Sequence, residues 1–494
     1  MSEPTYADIE EHRQGLLKQW EKFREQYKEI EALLNGDYLI RTIRKDKKSF
    51  KLGIAATKMQ AMVDSMITNK PKVTREPIAE GIAHKDLANK GEKWGEAVLE
   101  EIAVAKQMVP PFKSAGRYLG MGYAILVTRL DDSVYGKKPE GKAKREKWEK
   151  EKPFKFPFVI EAPNPCRILL PPMEREPSMA IESQTLKVFE VQSRYPGLEL
   201  GSSKMYDQVE IVHFWTPEWH VVCKGTEIFV LPNVYGFVSY THAFAGYGWE
   251  HAPTYSVGEG SQSDLGPHPE DLARSLLWSA KDSIIATVEI TNAMHEYAMR
   301  GIFYTLLTPG DNEGIARQLA EADIGAIVST EGVDPTKIIP LSTPDLPPYI
   351  FNVDSLFKQE IEMDTFPAVV QGEIAPNVTT ATQTAVSLSA ARMKFELPIQ
   401  QLNYMASMSL GYCARMLTAI GETMRIGGVT INGDTFEGNY RFKVDFMSKD
   451  PGERLRASAD GREEVKLGGK SLETHMQEDE GIGDATGETM KIWI

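Results

Sequence analysis

Residues 372–424 constrain the fold more than any other part of the chain. An uncharged loop, IAPNVTTATQT at 374–384, opens into one very long helical pattern. From residue 380 to 423 the pattern covers about 44 residues, and at ~1.5 Å rise per residue that is a rod of about 66 Å, several times an average helix of ~11–12 residues. A rod of that size needs neighbours along its length. Thr379 or Thr380 supplies the helix N-cap, and Pro376 keeps the chain extended until the cap is reached. Leu388, Met393, Leu397, Ile399, Leu402, Met405, Leu410, Met416 and Leu417 follow, interspersed with small residues such as Ala390, Ala391, Ala406, Gly411 and Ala414 that let helices approach closely. Pro398 lies inside the pattern, where it deletes a backbone donor, so a kink is expected near residues 396–398.

The rest of the chain must house that rod. Its 494 residues leave room for roughly three domains, and 42% hydrophobic content is enough for real cores. Cys166, Cys223 and Cys413 are far apart and odd in number, which signals neither a disulfide framework nor a zinc site and fits a reducing compartment. The N-terminus MSEPTYADIEEH is acidic where a signal peptide is basic and then apolar, and no apolar run approaches the ~20 residues that span a bilayer. A cytosolic product without a membrane partner is expected. The net charge of −14 argues against a DNA binder that wraps and neutralises phosphates, although DNA could still slide past such a surface.

Along the chain, residues 9–34 place Leu16, Trp20, Phe23, Tyr27, Ile30 and Leu34 on one stripe of a single helix that stops at Gly36. Helices are expected at 52–67 and 84–108, and the pattern then turns to strand at YAILVTRL, 123–130. The segment 137–155 holds nine Lys and Arg against four Glu, and its plain reading is a solvated hairpin or mobile loop. From 156 to 240, short runs (FVIEA, CRILL, LKVFEV, VEIVHFW, EIFVL, GFVSY) alternate with turns, as in a mostly antiparallel sheet. After an irregular linker at 246–269, a helix over 270–300 begins with Pro269 in its first turn. Residues 301–348 look like a small αβ insertion, 351–366 a returning helix, 430–447 further strands, and 450–494 an acidic, partly helical tail.

Signals for catalysis are weak. Gly468-Gly469-Lys470-Ser471 has Glu464 where a phosphate loop needs its first glycine, and Gly258-x-Gly260 runs on through Ser263 to Asp264 with no glycine where a dinucleotide fingerprint needs its third. His213 with His220, and His242 with His251, are too far apart for one helical face and lack a neighbouring carboxylate cluster, so they read as satisfied structural histidines. His295-Glu296 is followed by Met299 in place of a second histidine, and Asp131–Asp132 reads as a turn in preference to a two-metal pair. No catalytic residue, metal or cofactor is expected.

The order of parts resembles the portal, or head-to-tail connector, proteins of tailed bacteriophages. The most specific piece is VVQGEIAPNVTTATQTAVSLSAARMKFELPIQQL, 369–402, which is similar to that family's tunnel loop and tunnel helix; IEAPNPCRILLPP at 160–172 also matches. The resemblance implies an α+β, portal-like subunit with helical stem, long kinked tunnel helix, α/β wing, small αβ clip and short helical crown. The wing would be 1–268 with 425–449, the stem 269–300 and 349–368, the clip 301–348, the tunnel loop 369–384, the tunnel helix 385–424 and the crown 450–494. It implies a homo-oligomeric ring at one capsid vertex, present in the virion and in the host cytoplasm during assembly. Double-stranded DNA would pass through it, and terminase large subunit, capsid and scaffold proteins and tail adaptors would be its partners. With about twelve copies the ring carries roughly −170 formal charges, a like-signed wall along which duplex DNA slides.

The implied channel contacts are Gln371, Gly372, Glu373, Ile374, Ala375, Pro376, Asn377, Val378, Thr379 and Thr380, where Glu373 is the one charge. Arg392 and Lys394 are candidates for DNA or subunit contacts, with plain helix-surface charge as the alternative. Pro309, Gly310, Asp311, Asn312 and Glu313 would be the docking turn of the clip. Two other readings compete: a metal-dependent nuclease acting on nucleic acid, and a helical scaffold or adaptor.

Overall fold

The computed structural model describes residues 3–37, 51–67, 71–104, 109–136, 138–198, 204–247, 269–302, 306–307, 339–340, 348–365, 395–446, 460–469, 471–472 and 475–476. Helix and sheet are mixed, as an α+β chain requires. The described residues fall into two compact units, one drawn from Met1–Lys28, Met59–Leu276 and Pro367–Ile494, the other from Glu29–Lys58 and Leu277–Phe366.

The single helix expected over 9–34 is two, α1 (Tyr6–Gln19) and α2 (Glu21–Asn35). A reciprocal capping box between Thr5 and Asp8 starts α1. The break falls at Trp20, whose indole N–H donates to the Leu170 carbonyl at 2.8 Å and whose ring packs on Phe23 and Tyr123. The apolar stripe survives the break, with Leu33 buried where Leu34 was expected. At the end of α2, Gly36 and Asp37 donate to the carbonyls of Leu33 and Ala32, closing the helix as a Schellman motif.

Next come α3 (Ile54–Met66), β1 (Lys72–Thr74), α4 (Ile82–Val104), α5 (Pro111–Gly120) and β2 (Tyr123–Leu130), the last matching the strand read from YAILVTRL. The lysine-rich segment is no hairpin: its described part forms α6 (Lys142–Glu151). Ion pairs one turn apart, Arg145–Glu149 and Lys147–Glu151, support this helix. It is fastened to the body by the Trp148 indole N–H on the Tyr135 carbonyl and by an ion pair between Lys152 and Glu422.

The sheet region is antiparallel throughout its described pairings. It comprises β3 (Phe158–Glu161), β4 (Ile168–Leu169), β5 (Ala180–Lys187), α7 (Val188–Arg194), β6 (Gln208–Trp215), β7 (Trp219–Lys224), β8 (Glu227–Pro232) and β9 (Tyr240–Phe244). One sheet runs β3-β2-β9 and the other β4-β5-β6-β7-β8. LKVFEV is strand only in its first two residues: β5 ends at Lys187, whose N–H is capped by the Glu190 carboxylate, and α7 then puts Val188 and Val191 onto Ile211 and Val222 of the sheet. GFVSY contributes only its tyrosine to β9, because the Asn233 amide holds the preceding residues in a turn by donating to the Thr216 and Phe237 carbonyls.

The helix expected at 270–300 is broken. After one turn, α8 (Pro269–Leu272), the chain leaves the helical path, and α9 (Lys281–Ile302) begins after eight intervening residues. In between, Leu276 N–H and Ser275 Oγ both donate to the Gly120 carbonyl, an acceptor that the C-terminus of α5 leaves open. The backbones meet so closely that a Cβ on Gly122, at φ +114°, would stand 1.9 Å from the Ala273 oxygen. Only glycine fits there.

Within 301–348, the described residues after α9 include two short strands, β10 (Leu306–Leu307) and β11 (Ile339–Pro340), paired antiparallel. Then follow α10 (Tyr349–Asp364) and α11 (Glu396–Ile420). Residues 366–394 lie outside the described residues. Pro398 is the third residue of α11, where the first helical turn has no partner for its N–H; the rod expected before it, and so the kink expected near 396–398, lies outside the described residues. The helix ends at Ile420, short of the expected 424, with Gly421 in the left-handed conformation.

At 25 residues α11 is about 37 Å long. It buries Leu402, Met405, Leu410, Cys413 and Leu417 against β2, β9 and α5. A hairpin of β12 (Met424–Ile426) and β13 (Val429–Ile431) and then β14 (Lys443–Asp445) close the unit. β14 pairs with β1 on one side. On the other, Ser407 and Asn403 of α11 accept the N–H groups of Val444 and Phe446.

Candidate assembly face and a buried polar cluster

The expected channel residues from Gln371 to Thr380, with Arg392 and Lys394, and the clip turn from Pro309 to Glu313 lie outside the described residues. The described elements that bracket them are α9, α10 and the β10–β11 pair. α9 packs on α10 with Ser283, Ile284, Thr287, Val288 and Asn292 buried, and Ser283 Oγ donates to Glu360 of α10 at 2.8 Å.

α10 has two apolar stripes. Ile350, Phe357 and Ile361 form one, and Ile361 is buried. The second recurs at spacings of four and three: Tyr349 (65% exposed), Val353 (36%) and Leu356 (63%). Helical periodicity puts these three within about 60° of one another, the width of a coiled-coil seam. An apolar seam left open on a helix that already has one partner is the geometry of a surface built to be covered.

The other concentration of unusual groups is buried between the two sheets. Arg129 of β2 donates to Glu182 of β5 at 2.5 Å and lies 3.5 Å from Glu161. Tyr240 OH and the Gln184 amide donate to the same Glu182 carboxylate at 2.6 and 2.5 Å. Burial pushes that carboxyl up, but Arg129, the two hydrogen bonds and His213 together hold it below its ordinary value. Glu182 stands directly across from His213, and His213 Nδ1 meets His220 Nε2 at 3.2 Å. His220 is stacked on Trp215, with ring centroids 3.6 Å apart.

His213 and His220 are satisfied histidines, as expected, but the expectation that no carboxylate stands near them is overturned by Glu182. Two turns of helix would hold residues seven apart about 10 Å from each other, but a hairpin folds these two onto neighbouring strands, and Glu182 supplies the carboxylate that the local sequence lacks. The signal was present in the alternation of VEIVHFW and WHVVCK. Burial drives both imidazoles down, to about 4 for His213 and about 3 for His220. Every polar atom of Glu182 is engaged, so the cluster holds two sheets together and offers no free acid or base.

The other motif residues have structural work. His242 Nε2 donates to the Glu174 carbonyl and its Nδ1 takes the Tyr123 hydroxyl, as a satisfied structural histidine should. Asp131 caps the turn at Ser133. Gly468 and Gly469 donate to the carbonyls of Val465 and Glu464, closing the end of a helix where a phosphate loop would open one. His251, Gly258, Gly260 and Asp264 lie outside the described residues. Among the described residues no three His, Cys, Asp or Glu side chains converge as a metal site, and no helix is long and apolar enough to cross a membrane. No known protein family matches the sequence, and no characterised protein resembles it significantly.

Proposed function

We propose that this chain is the subunit of a homo-oligomeric portal ring of a tailed bacteriophage. The ring occupies one capsid vertex, passes double-stranded DNA inward during packaging and outward at ejection, docks the terminase large subunit, and later holds the tail adaptors. The subunit itself performs no catalysis.

The observation that carries this reading is the open seam Tyr349–Val353–Leu356 on α10. A cyclic assembly covers such a seam on every subunit at once with a heterologous contact to the next copy. The order of α9, a segment with β10 paired to β11, α10 and α11 follows the portal order of stem, clip, stem and tunnel helix. The net charge of −14 per chain suits a channel wall that repels duplex DNA.

Native mass spectrometry with negative-stain electron microscopy tests the proposal. Rings of about a dozen copies with a central hole are expected. A 55.3 kDa monomer that persists at high concentration, with scaffold protein added, would overturn it.

A further inference from the structure

We propose that His213 and His220 form a proton-operated latch on the β6–β7 hairpin, closed while both imidazoles are neutral and released when the pair takes up protons. The inference does not depend on the ring assembly. The two rings face each other across neighbouring strands, Nδ1 to Nε2 at 3.2 Å, and one N–H fills that gap. Both side chains are at least nine-tenths buried, and Trp215 covers His220 face to face.

The surroundings decide what a proton does. Glu182 faces His213 from β5, Arg129 approaches from β2 with Glu161 at its rim, and Arg194 and Tyr195 stand at the end of α7. On the β8 side His220 meets Leu231, which carries no charge. Glu182 is already matched by Arg129. A first proton, placed on an outward ring nitrogen, leaves the hydrogen bond standing but adds an unbalanced buried charge beside two guanidinium groups. A second proton puts N–H groups on both facing nitrogens, and the bond that joins the strands becomes a clash of donors. Burial keeps both groups neutral at pH 7, with folded values of about 4 and about 3, so the latch works on the acid side.

The test is hydrogen–deuterium exchange of the full chain at pH 7.5 and pH 5.0, with labelling times scaled for the intrinsic chemical rate. Amides of 208–224 are compared with those of β2 and β9 as an internal control. Each imidazole that regains its ordinary value on opening should lower protection at pH 5.0 by about 30-fold, selectively in the β6–β7 hairpin. In His220→Phe, which keeps a ring on Trp215, the selective loss should halve on a logarithmic scale; in the double variant with His213→Gln it should vanish. Unchanged hairpin protection at pH 5.0, or equal loss in both sheets, overturns the latch in the unaltered protein whatever the variants do. A selective loss that persists undiminished in His220→Phe also overturns it.

Discussion

Replacing Arg75 with methionine should release the C-terminal strands from the body of the protein. Arg75 follows β1 and is 5% exposed, and the hydrogen-bond acceptors of its guanidinium among the described residues are backbone carbonyls, with Glu437 and Glu92 acting only at longer range. Its Nη2 donates to the Phe436 and Asn439 carbonyls at 2.6 and 3.1 Å, its Nε to Asn439 at 3.3 Å, and its Nη1 to Leu87 at 3.1 Å. The stem lies against Gly91 and the charge over the Phe436 ring. Methionine keeps most of the stem and leaves three carbonyls without their charged donor. At ~1–1.5 kcal/mol for each, that is about 3–4.5 kcal/mol, from which relief of the buried charge returns about 1–2, for a net loss of about 2 kcal/mol. Burial, which already weakens the hold of Arg75 on its proton, is the source of that relief. Urea unfolding followed by circular dichroism gives the total, and limited proteolysis within 425–446 shows whether the strands come free. A loss below about 0.5 kcal/mol with unchanged cleavage would show that packing of Phe436 and Phe442 holds the segment and that the guanidinium does not.

Four further outcomes are expected. Leu402→Ala should lose about 2–5 kcal/mol and Leu402→Asp or Met405→Asp should fail to fold, since both side chains are fully buried between α11 and the sheet; soluble, native-like Asp variants would mean the buried face is wrong. Leu356→Asp should leave subunit stability within about 0.5 kcal/mol while abolishing species larger than the monomer in native mass spectra; intact rings would move the interface elsewhere. Deleting 374–379 should spare assembly and impair DNA packaging, and normal packaging would remove the loop from the mechanism. Between pH 7 and pH 5 stability should fall, because unfolded histidines near 6.5 bind protons that the depressed His213 and His220 refuse; full stability lies above about 6.5, and the loss by pH 5 is about 2 kcal/mol for each ring. Glu182, depressed in the fold, adds its own loss below its ordinary 4.5. A flat urea midpoint across that range would refute the assigned neutrality.

Sequence periodicity located nearly every described helix and most strands, since a stripe such as Trp20, Phe23, Tyr27 and Ile30 reports burial directly. It misjudged boundaries wherever a distant group decided them. Trp20 interrupts its helix for a carbonyl at Leu170, and the 270–300 helix breaks to satisfy Gly120, partners about 150 residues away in each case. The Arg129–Glu182–His213–His220 cluster stayed hidden for the same reason: its members come from four strands in two sheets, and no local spacing encodes that meeting. The open seam of α10 was legible as an apolar pattern, but only the fold distinguishes the stripe that faces α9 from the one left uncovered.

The pairing of β1 with β14 has a consequence for how the chain is made. Trp94 of α4 waits for Phe436 and Phe442, and Arg75 waits for Asn439, 364 positions later on the ribosome's path. At ~5–20 residues per second the nascent chain spends roughly 20–70 s with that socket empty. The β1–β14 ladder can zip up only after residue 445 has been made, so the speed of the ribosome between residues 95 and 445, and any chaperone that shields Trp94 meanwhile, should set the yield of folded protein.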